Sequence, residues 1–178
     1  MSKSDDAKDV VELTARLMEI DSTSGREGAV VDWLENHLVG ADWRARRIPV
    51  TAGRDDLLVT SDDSPRVTLS THVDTVPPFI PPRLDGDRLW GRGACDAKGI
   101  AASMILAAEQ LRAKRVPVAL LFVVGEEVSH DGAEAANRIR TTSKVLINGE
   151  PTESTLAVGT KGAMRFTLRT RGEAAHSA

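Results

Sequence analysis

Four short clusters carry the residue types that hold divalent metal and move protons: Thr71-His72-Val73-Asp74, Gly93-Ala94-Cys95-Asp96, Gly125-Glu126-Glu127 and Gly149-Glu150. Each comes where an apolar run has just ended, so each is expected to project from one rim of a sheet. On an extended strand, residues two apart face the same way, so His72 and Asp74 project together from the end of the run at 67–73. A ligating imidazole needs its other ring nitrogen held, and a carboxylate at that offset suits the task. His72 is thus a candidate ligand and Asp74 its partner. A lone His-x-Asp also arises by chance and is as well explained by a solvated turn. Asp96 precedes a helical pattern, which alone makes it an ordinary N-cap. Gly91 and Gly93 before it let backbone pack tightly and leave its carboxylate free to bridge two cations. Cys95 should point away from Asp96, and a small buried filler is the expectation for it.

Glu126 and Glu127 end a strongly apolar run, where two adjacent carboxylates are costly unless something neutralises them. Neighbouring side chains diverge in extended backbone. One can therefore bind metal while the other takes a proton from the attacking water and returns it to the leaving nitrogen. Glu150 adds a further oxygen at another strand end, or is simply a loop carboxylate before Pro151. His130, in Ser129-His130-Asp131-Gly132, fits a helix start better than ligation, and His37 fits the surface of a charged helix. Singly, each cluster has an explanation without metal; together, four strand-end clusters point to a metal site.

Such residues need a scaffold that sets strand ends side by side. Apolar spacings of three and four predict helices over 5–20 and 27–38, and an Ala-rich helix over 97–115. Strands are expected over 43–50, 56–60 and 67–73, and the run at 118–124 is apolar enough for a strand covered on both faces. A capped loop is expected at 21–25, with a role lining the site as the alternative. The Pro-rich segment 77–82 predicts an extended loop, and Asp85-Gly86-Asp87 a hairpin. A short helix over 131–139 and an interior strand over 144–148 complete the alternation. That pattern is α/β: a largely parallel sheet flanked by helices, with ligands at its carboxyl edge. Beyond residue 155, the segments 156–162 and 164–170 predict two strands with alternating faces, the start of a second unit.

The 178 residues carry 23 Lys and Arg against 26 Asp and Glu, a net charge of −3, and the basic clusters at 44–47 and 112–115 lack interleaved aromatics. Nucleic-acid binding is disfavoured on that ground. No apolar run approaches the roughly 20 residues that span a bilayer. The N-terminus is polar, without the apolar stretch of a secretory signal, which makes the cytoplasm the default compartment. With Cys95 the only cysteine, no internal disulfide forms.

In order, THVDTVPP, GRGACDAKG, GEE, GEPT, GTKG and GEAAHSA resemble the co-catalytic zinc amidohydrolases and peptidases that include acetylornithine deacetylase, succinyl-diaminopimelate desuccinylase, carboxypeptidase G and the aminoacylases. The resemblance spans residues 69–178. It implies a three-layer αβα zinc-hydrolase catalytic domain over 1–158, with a central mixed, largely parallel sheet, and the beginning of a smaller α+β lid or dimerisation domain over 159–178. It also implies two Zn2+ ions per complete site, with Co2+ or Mn2+ as substitutes. His72 and Glu150 would hold one, Glu127 the other, and Asp96 would bridge them. Glu126 would be the general base, Asp74 the orienting carboxylate, and His176 a lid residue that helps stabilise the oxyanion. A cis Asp96-Ala97 bond belongs to the same pattern. Implied substrates are N-acyl amino acids, with short peptides as the alternative, and the implied assembly is a homodimer. Family members continue further and supply a last histidine ligand. A poorly active chain with exposed strand edges, an assembly-only module at the limit, is the corresponding expectation.

Overall fold

In the computed structural model, which describes residues 3–159, 164 and 166–173, the alternation predicted from the sequence builds three layers. The elements in order are α1 (Lys3–Met18), α2 (Gly28–Val39), β1 (Arg44–Thr51), β2 (Arg54–Thr60), β3 (Val67–His72), β4 (Arg83–Asp85), β5 (Arg88–Trp90), α3 (Lys98–Ala113), β6 (Val118–Val123), α4 (Asp131–Ala136) and β7 (Val145–Asn148). Five strands form one sheet in the order β1-β2-β6-β3-β7. β3 pairs in parallel with both β6 and β7, while β2 runs antiparallel to β1 and to β6. Only β2 is reversed, so the sheet is mixed and largely parallel. β4 and β5 make the expected separate hairpin.

Strand alternation divides the core in two. Leu57, Val59, Leu69, Val118, Leu120 and Phe122 meet Leu17 of α1, Val30, Val31, Leu34 and Leu38 of α2, and Ala101, Ala102 and Ile105 of α3. On the opposite face, Ile48, Leu121 and Val123 pack on Ala135 of α4. Every residue of β6 is buried, as its unbroken apolar run requires. Each fully buried Leu or Phe there contributes about 2 kcal/mol of transfer free energy. β3 and β6 are thereby fixed in register, from Val67 opposite Val118 to His72 opposite Val123, which sets the two central strand ends level.

Two expectations fail in the C-terminal part. Among the described residues β7 is an edge strand, not an interior one, paired with β3 alone and with all four residues exposed. The described residues of 156–162 and 164–170 form no strand. Leu156, Val158, Met164, Phe166 and Leu168 are all at least 85% exposed, so among the described residues alternation there has no partner strand or core to satisfy it. Among the described residues, no helix is long and apolar enough to cross a membrane.

Candidate metal centre

β3 delivers His72 fully buried at its last position, and Asp74 follows, also fully buried. His72 Nδ1 lies 3.0 Å from the carbonyl oxygen of Asp74 and 3.4 Å from its carboxylate. Nδ1–H therefore donates to Asp74, and Nε2 is turned outward to face other carboxylates. Nε2 stands 2.9 Å from Asp96 Oδ1 and 3.8 Å from Glu150 Oε2. Ligand atoms of His72, Asp96 and Glu127 all lie within 4.8 Å of one another. The four residues expected to ligate thus converge on one sheet edge.

Asp96 is not an N-cap. Ala97 occupies that position of α3, no side chain caps the helix, and the Asp96-Ala97 peptide is cis. Gly91 supports the turn that carries Asp96: its φ is +137°, and a Cβ there would come 2.8 Å from the Pro81 carbonyl oxygen. Glu126 and Glu127 follow β6 through Gly125, and they diverge as expected. Glu127 joins His72 and Asp96. Glu126 faces a cleft of about 350 Å³ lined also by His72, His130, Asn137, Asn148 and Glu150. His130 is exposed at the start of α4, with Nδ1 3.8 Å from Glu126 Oε1. His37 is exposed and stacked on Trp33, remote from these groups. Cys95 is exposed, not buried, because the turn before α3 turns Cys95 and Asp96 outward. His176 lies outside the described residues.

Asp74 does more than hold the imidazole. Its carboxylate accepts the backbone N–H of Glu126 at 3.0 Å and of Glu127 at 3.2 Å, and the Ser24 hydroxyl at 2.7 Å. Burial pushes its pKa up, but these donors and His72 outweigh burial and hold it below the ordinary value. Ser24 belongs to the 21–25 loop, where the expected capped turn is present, with Asp21 Oδ1 accepting the Thr23 N–H at 3.0 Å and its hydroxyl at 2.7 Å, while Ser24 reaches the site as the alternative role requires. Thr23 bridges Thr75, Ser22 Oγ donates to the Val73 carbonyl, and the buried Lys98 ammonium donates to the Ile20 carbonyl at 2.6 Å. Contacts so distant in sequence leave no local signature, so Lys98 was missed and Ser24 was covered only by the alternative reading of its loop.

The field of the cluster favours positive charge. Burial alone would lower the His72 pKa, yet Asp74, Glu150 and Asp96 together raise it to about 9. Burial, and then repulsion from neighbouring carboxylates, raises the pKa of Glu127 and of Glu150. A buried imidazole oriented through Nδ1, whose Nε2 is available once its proton is displaced, set among carboxylate oxygens that repel one another, is a donor set that fits a divalent cation of borderline hardness.

Residues 68–174, more than half of the chain, match the pattern of peptidase family M20/M25/M40. The chain belongs to this family. A peptidase M20 domain-containing protein of Schizosaccharomyces pombe is 37% identical over 94% of the chain and 44% of its own length. A protein of Aspergillus fumigatus named "Probable carboxypeptidase" is 36% identical over 90% of the chain and 44% of its own length. In fold, the chain is similar to a Bacillus subtilis protein described as a dinuclear metal binding peptidase from the M20 family. The TM-score is 0.61 at 16% identity, over 83% of this chain and 43% of that one. The chain spans less than half the length of these M20 relatives.

Proposed function

We propose that this chain carries the metal-binding part of a hydrolase that cleaves an amide bond next to a free carboxylate, as a carboxypeptidase-type exopeptidase does. The observation that carries the reading is the convergence of His72 Nε2 with Asp96 and Glu127 while Nδ1 is committed to Asp74. His72, Asp96, Glu127 and Glu150 would hold divalent metal, with zinc the ion best suited to this mixed nitrogen and oxygen set. A divalent cation bound there polarises a carbonyl and raises the acidity of water.

The chain's own groups do the rest. Asp74 fixes the tautomer of His72 and, through two backbone N–H groups, the direction in which Glu126 and Glu127 leave the sheet. Glu126 opens onto the cleft. There it takes a proton from the attacking water and delivers it to the leaving nitrogen, a role general-base catalysis makes worth about 10²–10⁴-fold in rate. Relatives of 36% identity carrying a carboxypeptidase name support the exopeptidase reading.

The runner-up is hydrolysis of N-acyl amino acids of the acetylornithine or succinyl-diaminopimelate type, supported by the resemblance of the motif series as a whole. Both bonds suit the same groups. Assays of the zinc-loaded protein on N-blocked dipeptides and on acetylornithine separate them by the ratio of rates. Faster release from the dipeptides supports the exopeptidase, and a preference for acetylornithine overturns it.

A further inference from the structure

Two loops that meet at Asp74 meet again on its far side, at Arg54. The first comprises residues 21–27, with Ser24 bonded to Asp74; the second comprises residues 125–131, with the Glu126 and Glu127 amides bonded to the same carboxylate. Arg54, at the start of β2, forks into both. Its Nε and Nη2 donate to the fully buried Glu27 at 2.9 and 3.0 Å, and its Nη1 and Nη2 donate to Asp131 at 2.7 and 3.3 Å. Glu27 also accepts the N–H of Gly25, and Asp131 the hydroxyl of Ser129. The result is a closed ring: Asp74, Ser24, Glu27, Arg54, Asp131, the Glu126-Glu127 turn, and Asp74 again. The guanidinium is packed directly against the turn, since a Cβ on Gly125 would lie 2.5 Å from Arg54 Nη2.

We propose that Arg54 is a positioning residue for the site: by clamping Glu27 and Asp131 together, it holds the Glu126-Glu127 turn at the angle that brings Glu127 to His72 and Asp96. What the turn is held for rests on the metal-site reading above. The ring needs an arginine, because only a planar fork reaches two carboxylates with paired bonds; a lysine keeps the charge opposite Glu27 but loses the fork. Its setting also differs from that of an ordinary surface pair. Arg54 is 15% exposed against 0% for Glu27, so the charges are shielded little by water.

Arg47 provides the comparison within the molecule. It joins Asp32, Glu35 and Asp55 with similar geometry. It belongs to neither loop, so its loss reports the structural worth of such a cluster alone.

The test uses Arg54→Lys, Asp131→Ala, the double variant and Arg47→Ala, each shown to be folded by circular dichroism. Hydrogen exchange of the 125–131 segment in the zinc-free chain is the first readout, and zinc affinity is the second. Both single variants should speed exchange there about tenfold or more and weaken zinc about 10- to 100-fold, the range for groups that orient ligands. The double variant should add little, since both changes open the same clamp. Arg47→Ala should change neither readout. Unchanged exchange at 125–131, an equal effect from Arg47→Ala, or full additivity would overturn the proposal. A wild-type chain that binds no zinc would overturn the metal reading instead, with exchange in the zinc-free chain still deciding whether the clamp exists.

Discussion

Asp56 lies on β2, one turn of pleat from Arg54, and is fully buried beneath the loop that carries Glu126 and Glu127. Its Oδ1 accepts the Val124 N–H at 2.9 Å, and among the described residues its Oδ2 has no hydrogen-bond partner. Burial raises its pKa to about 6, against the opposing effect of the Val124 amide, and Asp131 adds to the rise. The folded chain therefore holds the Asp56 proton more tightly than the unfolded chain does. The associated stability is fully present below the unfolded value of 3.8 and is lost as pH rises through about 6. A difference of roughly two units corresponds to about 3 kcal/mol over the whole window, of which about 2 kcal/mol falls between about pH 4.5 and 7. Asp56→Asn removes the ionisation while keeping an acceptor for Val124. The new amide leaves an unpaired donor at a cost of about 1–3 kcal/mol, so the absolute change at one pH decides nothing. The quantity to measure is the stability of Asp56→Asn minus that of wild type, from urea unfolding at several pH values, in which all other titrations cancel. That difference should move in favour of the variant by about 2 kcal/mol from about pH 4.5 to 7. Parallel curves would refute the account of Asp56 as a carboxyl whose pKa burial raises.

Metal binding should be pH-dependent through His72. With its pKa raised to about 9, Nε2 must shed a proton before ligating, so zinc affinity should rise roughly tenfold per pH unit up to that value; a flat profile in competition titrations contradicts this. Glu126→Gln should lower turnover by about 10²–10⁴-fold while leaving zinc affinity within a few-fold of wild type, and equal loss of both would make Glu126 a ligand. Gly125 has φ +70°, and a Cβ there would lie 2.2 Å from Asp131 Oδ1. Gly125→Ala should therefore destabilise by about 2–4 kcal/mol in urea unfolding, and a loss below about 1 kcal/mol would show that the turn relaxes freely.

The parts of the fold legible in the sequence were those whose signal is local. The apolar run at 118–123 and the three- and four-residue spacings of α2 and α3 reflect burial that each element fixes by its own period. His72 and Asp74 were readable as a pair because a strand's period of two puts them on one face. What escaped was pairing between distant segments. Val145, Leu146 and Ile147 have the composition of an interior strand, yet among the described residues only one neighbour pairs with β7. Leu156 and Phe166 alternate like strand residues but are exposed among the described residues. Ser24, Glu27, Arg54 and Asp131 are individually ordinary polar residues of loops and strand ends. Their roles arise from bonds across 27 to 77 residues of chain, which no window of sequence displays.

The central claim is that His72, Asp96 and Glu127, with Glu150 beside them, cage a divalent cation. Anomalous diffraction at the zinc edge from zinc-soaked crystals tests it most directly. The account predicts a peak about 2.0–2.2 Å from His72 Nε2 and from carboxylate oxygens of Asp96 and Glu150 or Glu127. A zinc ion bound elsewhere, or none at this sheet edge when the metal is in excess, would contradict it.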